Sequence, residues 1–206
     1  MTLAARVEQT RYNVFHWRCG LSLPLKLALA LGMAALTGLL AQVRVQLPWT
    51  PVPLTGQTLA VLLAGVVLGK WWGGISMGIY AGLGMAGVPW FQGLNSGVGY
   101  LAGPTGGYII GFILAALFLG YFTDTYVKSR RFLSVLGLML GASLVIIYMP
   151  GLLQLGIWLH LAKGQAVTLS ELLKLGALPF IAGDITKAVL AALIARGITP
   201  RSVYRR

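Results

Sequence analysis

Two charged residues, Asp184 and Lys187, lie three positions apart inside a long apolar stretch near the carboxyl end of the sequence. Each charge placed near the centre of a bilayer costs about 2.5 to 3.5 kcal/mol on insertion scales, so such residues need partners or water. On a helix, residues three apart share one face, and the pair can form an ion pair or line one cavity. Two interpretations stay open: a ligand-binding pair, or a buried ion pair that fixes this helix to its neighbours.

Polar and aromatic residues also gather in two segments between apolar stretches, residues 44–55 and residues 89–105. The first segment contains three prolines, which fix backbone φ, so we expect a stiff, extended loop that leads to Gln57. The second combines aromatic rings, glycines and side-chain amides, among them Asn95. Such a mixture suits a small, partly apolar ligand with hydrogen-bonding groups. An interfacial aromatic belt with flexible turns is the alternative for this second segment.

The composition indicates that lipid is the solvent of these elements. Of the 206 residues, 57% are hydrophobic and only 10% are charged, far from the balance of a soluble domain. A spanning helix needs about 20 mainly apolar residues. We predict an all-α integral membrane protein whose residues 25–195 form one bundle of six transmembrane helices. The predicted spans are Leu25–Val43, Leu54–Gly69, Trp71–Val88, Gly107–Phe122, Phe132–Leu161 and Leu172–Ala195.

Two spans have predicted irregularities. The second and third are joined at Gly69 and Lys70, so they should form a tight hairpin. The fifth contains Met149, Pro150 and Gly151, which should kink the helix or end it near the surface.

The basic residues predict the orientation of this bundle. Only Arg44, Lys163 and Lys174 fall on the side opposite the termini, and Lys187 belongs to neither side. The terminal side receives Arg6, Arg11, Arg18, Lys26, Lys70, Lys128, Arg130, Arg131, Arg196, Arg201, Arg205 and Arg206. The positive-inside rule therefore places both termini in the cytoplasm. Residues 1–24 and 196–206 are predicted to be basic cytoplasmic segments that anchor the chain beside anionic lipid, with no role in binding nucleic acid.

The sequence offers little for catalysis or for a cofactor. Gly74 to Gly78 spell the G-x-S-x-G string of a hydrolase nucleophile elbow, but the string lies inside an apolar span instead of a strand, turn and helix. The possible histidine bases, His16 and His160, are predicted on opposite sides of the membrane. The single Cys19 excludes an intramolecular disulfide and is too little for a cysteine-based metal site. We predict neither an enzyme nor a metal or cofactor site.

Small residues recur at four-residue spacing in the first span, at Ala30, Ala34 and Gly38. Such a smooth face allows close helix contact. Packing within the chain and contact with another membrane protein both remain open from the sequence.

Three strings, read in order, resemble the BioY family, the biotin-specific binding component of energy-coupling factor (ECF) transporters. They are TPVPLTGQTLAVLLAG from Thr50, GPTGGYIIGF from Gly103 and LPFIAGDITKAVLAALIA from Leu178. Together with the six-span layout, they cover nearly the whole chain from about Leu25. Three strings in the family's order indicate the family far more specifically than any one string alone.

The resemblance implies a biotin pocket near the outer face, covered by the loop after the first span. It implies ligand contacts from Asp184 and Lys187 and from the Gly103–Tyr108 string. Asn95 stands where the family places a polar contact. The predicted ligand-binding set is Gln57, Asn95, Thr105, Gly106, Tyr108, Asp184 and Lys187. The face of Ala30, Ala34 and Gly38 resembles the surface that meets a partner in the family.

We therefore predict high-affinity biotin capture and uptake across the bacterial cytoplasmic membrane. The implied partners are membrane lipid, a transmembrane coupling protein and two ATPase subunits. The alternatives are a transporter or channel for another small solute and, less favoured, an intramembrane serine hydrolase that uses Ser76.

Overall fold

The computed structural model describes residues 3–18, 20–164 and 167–200, and most of them are helical. Cys19 and three of the predicted cytoplasmic cations, Arg201, Arg205 and Arg206, lie outside the described residues. The helices are α1 Leu3–Trp17, α2 Leu23–Gln42, α3 Gln57–Leu68, α4 Lys70–Met85, α5 Val98–Leu101, α6 Gly106–Thr125, α7 Phe132–Gly141, α8 Tyr148–Lys163, α9 Leu169–Gly176 and α10 Ile181–Ile198. Two short strands are β1 Arg44–Val45 and β2 Leu54–Thr55.

Within the described residues, four helical stretches are long and apolar enough to cross a membrane: Leu23–Gln42, Gly106–Thr125, Phe132–Lys163 and Leu169–Ile198. Helices α3 and α4 have 12 and 16 residues. At 1.5 Å per residue they extend about 18 and 24 Å, less than the roughly 30 Å of a hydrocarbon core. The all-helical membrane fold is thus confirmed, and two of the six predicted spans are shorter than a full crossing.

Helix α6 is the centre of the bundle and packs against α3, α4 and α8. Helices α3 and α4 form the predicted tight hairpin, with Gly69 as the single residue between them. Gly69 has φ of 85°, a left-handed conformation that residues with a Cβ rarely adopt. The hairpin therefore places the two short helices side by side against α6.

The predicted fifth span is one continuous helical stretch of 32 residues, Phe132–Lys163. It does not end at Pro150. A proline lacks the amide donor and crowds the carbonyl four residues earlier, here Ile146. That carbonyl belongs to a π-helical segment, Ala142–Ile147, which joins α7 to α8. The wider turn accommodates the proline without breaking the helix.

The loop after α2 is folded back on itself, so the predicted extended shape was wrong. β1 pairs antiparallel with β2, with Arg44 opposite Thr55 and Val45 opposite Leu54. The Thr50 hydroxyl donates a hydrogen bond of 2.6 Å to the carbonyl of Leu175 in α9. This hydrogen bond holds residues 44–55 over one end of the bundle. We call these residues the cap hairpin and this end of the bundle the loop end.

The opposite end, the terminal end, contains α1, a helix that we did not predict. Its Arg11 donates to the carbonyl of Gly197 at the end of α10, over 3.2 Å. Arg18 follows α1, donates to the carbonyl of Val66 over 3.0 Å, and forms an ion pair with Asp124. The predicted basic segment 1–24 is therefore partly a helix docked on the bundle.

Ala30, Ala34 and Gly38 are buried inside the chain, which corrects the predicted partner contact. Ala30 accepts a hydrogen bond of 2.7 Å from the Ser76 hydroxyl of α4. A Cβ on Gly38 would lie 2.8 Å from the Cβ of Trp90. Because α4 and Trp90 already occupy this face, it serves internal packing and is not available to another protein in this structure.

Candidate functional site

A cavity at the loop end lies between the cap hairpin and the helices beneath it. It encloses about 560 Å³ of space, including the part that is open to solvent. The cap hairpin contributes Val52, Pro53, Leu54 and Thr55 to its wall. The other lining residues are Gln57, Thr58, Gln92, Tyr100, Thr105, Tyr108, Ile109, Phe112, Ile147, Tyr148, Phe180, Asp184 and Lys187. The cavity thus has the cap hairpin on one side and residues of α3, α6, α8 and α10 on the other.

The charged pair predicted from the sequence lies in this cavity. Asp184 is in the first turn of α10, and only 3% of its surface is exposed. The Lys187 ammonium lies 2.5 Å from Oδ1 of Asp184. The Tyr148 hydroxyl donates a hydrogen bond of 2.5 Å to Oδ2. The helix spacing thus brings both charges to one face, and α8 supplies a third partner from across the bundle.

The carboxylate of Asp184 is only partly satisfied by these neighbours. Among the described residues, Oδ1 accepts no well-directed hydrogen bond although the Lys187 ammonium is close to it. That ammonium instead donates to the carbonyl of Thr55 in β2, over 2.8 Å. A buried carboxylate oxygen has several acceptor positions. Oδ1 can therefore accept a hydrogen bond from a ligand that enters the cavity.

Two glutamines provide amide groups on the wall. Gln57 donates to the Tyr80 hydroxyl over 2.7 Å, and its carbonyl oxygen accepts from the Thr55 hydroxyl over 2.9 Å. The carbonyl oxygen of Gln92 accepts from Arg44, over 2.8 Å. Gln57 is held by two neighbours and Gln92 by Arg44, and each amide keeps further hydrogen-bonding capacity for a ligand.

Aromatic rings form much of the remaining surface. The Tyr108 hydroxyl donates to the carbonyl of Gly176 over 2.7 Å, so this residue offers its ring to the cavity. Tyr100 is stacked on Phe91 with ring centroids 4.8 Å apart. Burial raises the pKa of Tyr100, which keeps its hydroxyl protonated as a donor. With Phe112 and Phe180, these rings suit a compact apolar ligand body.

Five of the seven predicted ligand-binding residues line the cavity: Gln57, Thr105, Tyr108, Asp184 and Lys187. Asn95 and Gly106 do not. Asn95 is exposed and closes a turn by donating to the carbonyl of Gln92, over 2.8 Å. A Cβ on Gly106 would lie 1.8 Å from the carbonyl oxygen of Leu101, so this glycine serves close packing.

Gln92, Tyr100 and Tyr148 line the cavity but were absent from the predicted set. The first two lie in the glycine-rich segment that we had identified, whereas Asn95, the residue chosen from that segment, lies outside the cavity wall. Tyr148 had no such signal, because a tyrosine in an apolar span is also typical of packing or of the membrane interface.

The G-x-S-x-G string does not form a nucleophile elbow. Ser76 is fully buried within α4, and its hydroxyl donates to Ala30. Both His16 and His160 are exposed. The described residues contain no cluster of three His, Cys, Asp or Glu that could hold a metal ion. A hydroxyl inside a helix and bonded to a carbonyl lacks the base that nucleophilic attack requires.

Comparisons with a family model and with individual proteins point to one family. The model of the BioY family matches residues 14–203. The probable biotin transporter BioY of Methanothermobacter thermautotrophicus is 49% identical over 142 residues, which are 69% of this chain and 90% of that protein. The biotin transporter BioY of Thermotoga maritima is 35% identical over 161 residues, 78% of this chain and 89% of that protein.

A solved structure has the same fold. The crystal structure of the S-component for biotin from an ECF-type ABC transporter aligns with a TM-score of 0.73 and 25% identity. The alignment covers 95% of this chain and 93% of the other.

Proposed function

This chain belongs to the BioY family, and on that premise we propose that it captures biotin in the cavity under the cap hairpin for uptake across a bacterial cytoplasmic membrane. The relatives named as biotin transporters and the similarity to an S-component for biotin support this function. It is a binding and transport role without catalysis.

The chemistry of biotin fits the groups that line the cavity. Biotin carries a ureido ring that donates and accepts hydrogen bonds, an apolar bicyclic body and a carboxylate tail. Asp184 can accept from the ureido N–H groups, and the amides of Gln57 and Gln92 can pair with either ureido group. The rings of Tyr100 and Phe112 can cover the bicyclic body. The ureido ring and the bicyclic body thus each have matching groups on the wall.

The observation that carries this proposal is the incomplete hydrogen bonding of Asp184. The Lys187 ammonium contacts Oδ1 over 2.5 Å, but this buried oxygen accepts no directed hydrogen bond among the described residues, so a lone pair remains that a ligand N–H can use. The competing interpretation is an ion pair that only locks α10 in place. Such a pair gains most when its remaining acceptors are satisfied. Oδ1 is left without a directed bond inside a cavity, which favours the ligand role.

We expect purified protein in detergent to bind biotin saturably, measured by isothermal titration calorimetry. Diaminobiotin, which lacks the ureido carbonyl, should bind about twofold to tenfold more weakly, because it loses the neutral hydrogen bond that this carbonyl accepts from a glutamine amide, worth about 0.5 to 1.5 kcal/mol. The absence of saturable biotin binding would reject the function. Equal affinity for both compounds would contradict recognition through the ureido ring.

We further propose six membrane crossings with both termini in the cytoplasm, so that the cap hairpin faces outward. The two short helices, α3 and α4, would complete the six crossings by sitting deep in the bundle between longer neighbours. The distribution of cations supports this orientation, with Lys70, Lys128 and Arg196 at the terminal end and Lys163 and Lys174 at the loop end. The partners would be a transmembrane coupling protein and two ATPase subunits, as the ECF-type neighbour suggests.

The orientation predicts a labelling pattern for two matched exposed lysines, Lys128 and Lys174. Each is replaced by cysteine in a Cys19→Ser background, and spheroplasts are treated with a membrane-impermeant maleimide. The Lys174→Cys variant should be labelled in intact spheroplasts, and the Lys128→Cys variant only after permeabilisation. The reverse pattern would show that the bundle is inverted.

A further inference from the structure

A second cleft lies at the terminal end, on the far side of the bundle from the biotin cavity. It encloses about 1100 Å³ of space, including its opening to solvent. It is lined by residues of α1, the start of α2, the α3–α4 hairpin and the end of α6. Its lining residues are Tyr12, Phe15, His16, Arg18, Lys26, Leu68, Lys70, Trp71, Trp72, Asp124, Val127, Arg130 and Pro200.

The cleft has a strong excess of positive charge. Among the described residues that line it, four carry a cation, Arg18, Lys26, Lys70 and Arg130, and one carries a carboxylate, Asp124. That carboxylate is already engaged, since it forms an ion pair with Arg18 and accepts from the backbone amide of Lys70 over 3.0 Å. The described ion pairs do not include one for the Lys70 side chain.

Two arginines that line the cleft both lie against the ring of Phe15. The guanidinium carbons of Arg18 and Arg130 lie 3.8 Å and 4.4 Å from the ring centroid of Phe15. Arg130 also donates to the carbonyl of Thr123, over 2.7 Å. Burial first, and then the charge of Arg18, lower the pKa of Arg130. Asp124 is the one carboxylate among the described residues that line the cleft, so an anion there would meet a net positive potential.

Aromatic residues indicate the depth of this cleft in the membrane. Trp71 and Trp72 belong to its wall, and the Lys70 ammonium lies 5.0 Å from the Trp71 ring centroid and 5.2 Å from that of Tyr121. Trp and Tyr concentrate at the level of the lipid headgroups. Trp71 is 64% exposed on the outside of the helix bundle. The cations therefore lie at the level where lipid phosphates are found, beside a ring that faces the bilayer.

We propose that this cleft binds the phosphate of an anionic phospholipid headgroup from the adjoining leaflet, with Lys70, Lys26 and Arg130 as the cations that meet it. Basic pockets between transmembrane helices are suited to such headgroups. The bound lipid would tie α1 to the α3–α4 hairpin, because residues from both line the same cleft. The proposal does not depend on which ligand the loop end binds or on which side of the membrane the terminal end faces.

The test uses the full-length protein in a neutral detergent and short-chain lipids below their micelle concentration. Binding of dihexanoylphosphatidylglycerol is followed by tryptophan fluorescence and by melting temperature. We expect saturable, stabilising binding, with much weaker effects from dihexanoylphosphatidylcholine and from inorganic phosphate. The Lys70→Gln variant should bind the anionic lipid about fivefold more weakly, since each basic residue near a lipid surface contributes about 1 kcal/mol.

Lys174→Gln is the matched control, because it removes the same charge at the loop end of the bundle. It should bind the anionic lipid like the unmodified protein. Three results would overturn the proposal: equal effects of the two lipids, equal losses in the Lys70→Gln and Lys174→Gln variants, or stabilisation by inorganic phosphate that matches the anionic lipid. The last result would identify a soluble anion as the ligand in place of a lipid. Biotin binding is measured on the same samples. Failure of the lipid proposal can then be distinguished from failure of biotin binding at the loop end.

Discussion

Asp184→Asn should weaken biotin binding by about tenfold to a hundredfold. The substitution keeps the size of the side chain but removes the charge and exchanges acceptor capacity for donors. The ureido ring then loses a charge-assisted hydrogen bond of about 1.5 to 3 kcal/mol. Because Lys187 is 2.5 Å away and loses its counter-charge, we also expect a lower melting temperature. Affinity and melting temperature are to be measured on the same monodisperse samples.

A double variant, Asp184→Asn with Lys187→Met, separates the ligand role from the structural role. Removing both charges leaves no unpaired ion, and replacing a buried ion pair by neutral groups of similar volume is often neutral or stabilising. The double variant should therefore recover much of the melting temperature but not the affinity. If it binds biotin as tightly as the unmodified protein, Asp184 is only structural and the proposed site is wrong.

Ala34→Trp should greatly reduce the amount of folded protein. Ala34 is fully buried and belongs to the hydrophobic core. Forcing an indole into a packed core costs about 3 kcal/mol or more, the upper part of the range for overpacking. Close packing of α2 on α4 leaves little room for relief, since Ser76 is bonded directly to the backbone of α2. The measurement is the yield and melting temperature of monodisperse protein after purification.

The adjacent residue provides the control for this prediction. Ala35 is exposed, and Ala35→Trp introduces the same side chain one position along the same helix. We expect normal yield, melting temperature and biotin affinity for this variant. Equal damage from both substitutions would show that α2 tolerates no bulk on either face, and a folded, stable Ala34→Trp protein would contradict the internal packing of Ala34.

The charged part of the site was predictable because of its physical cost. Asp184 and Lys187 are expensive in an apolar span, so their presence alone indicated a partner or a cavity. Tyr148 carries no comparable penalty, and only the packing of α8 against α10 shows that its hydroxyl meets Asp184. Gln92 and Asn95 are three residues apart in one turn, and the sequence did not show which of the two amides faces inward.

The helices were predictable where apolar residues continue for a full span, as in α6 and in the stretch Phe132–Lys163. Helix α1 was missed, because its polar composition gives no such signal and its position depends on Arg11 and Arg18 bonding to distant backbone carbonyls. The small-residue face of α2 was recognised as a contact face. Its partner, α4, follows from the tertiary fold, which the spacing of small residues does not encode.

The π-helical segment Ala142–Ile147 lies between α7 and α8 in one long helix. It changes the directions in which the side chains of α8 point relative to those of α7. In a regular α-helix each residue turns by about 100°, so the directions of all side chains are fixed once one of them is set. A π turn contains an additional residue, which breaks that rule at one point. The direction of Tyr148 in α8 is therefore offset from the one that an unbroken α-helix continued from α7 would give it. This offset is built into the helix that brings the Tyr148 hydroxyl to Asp184.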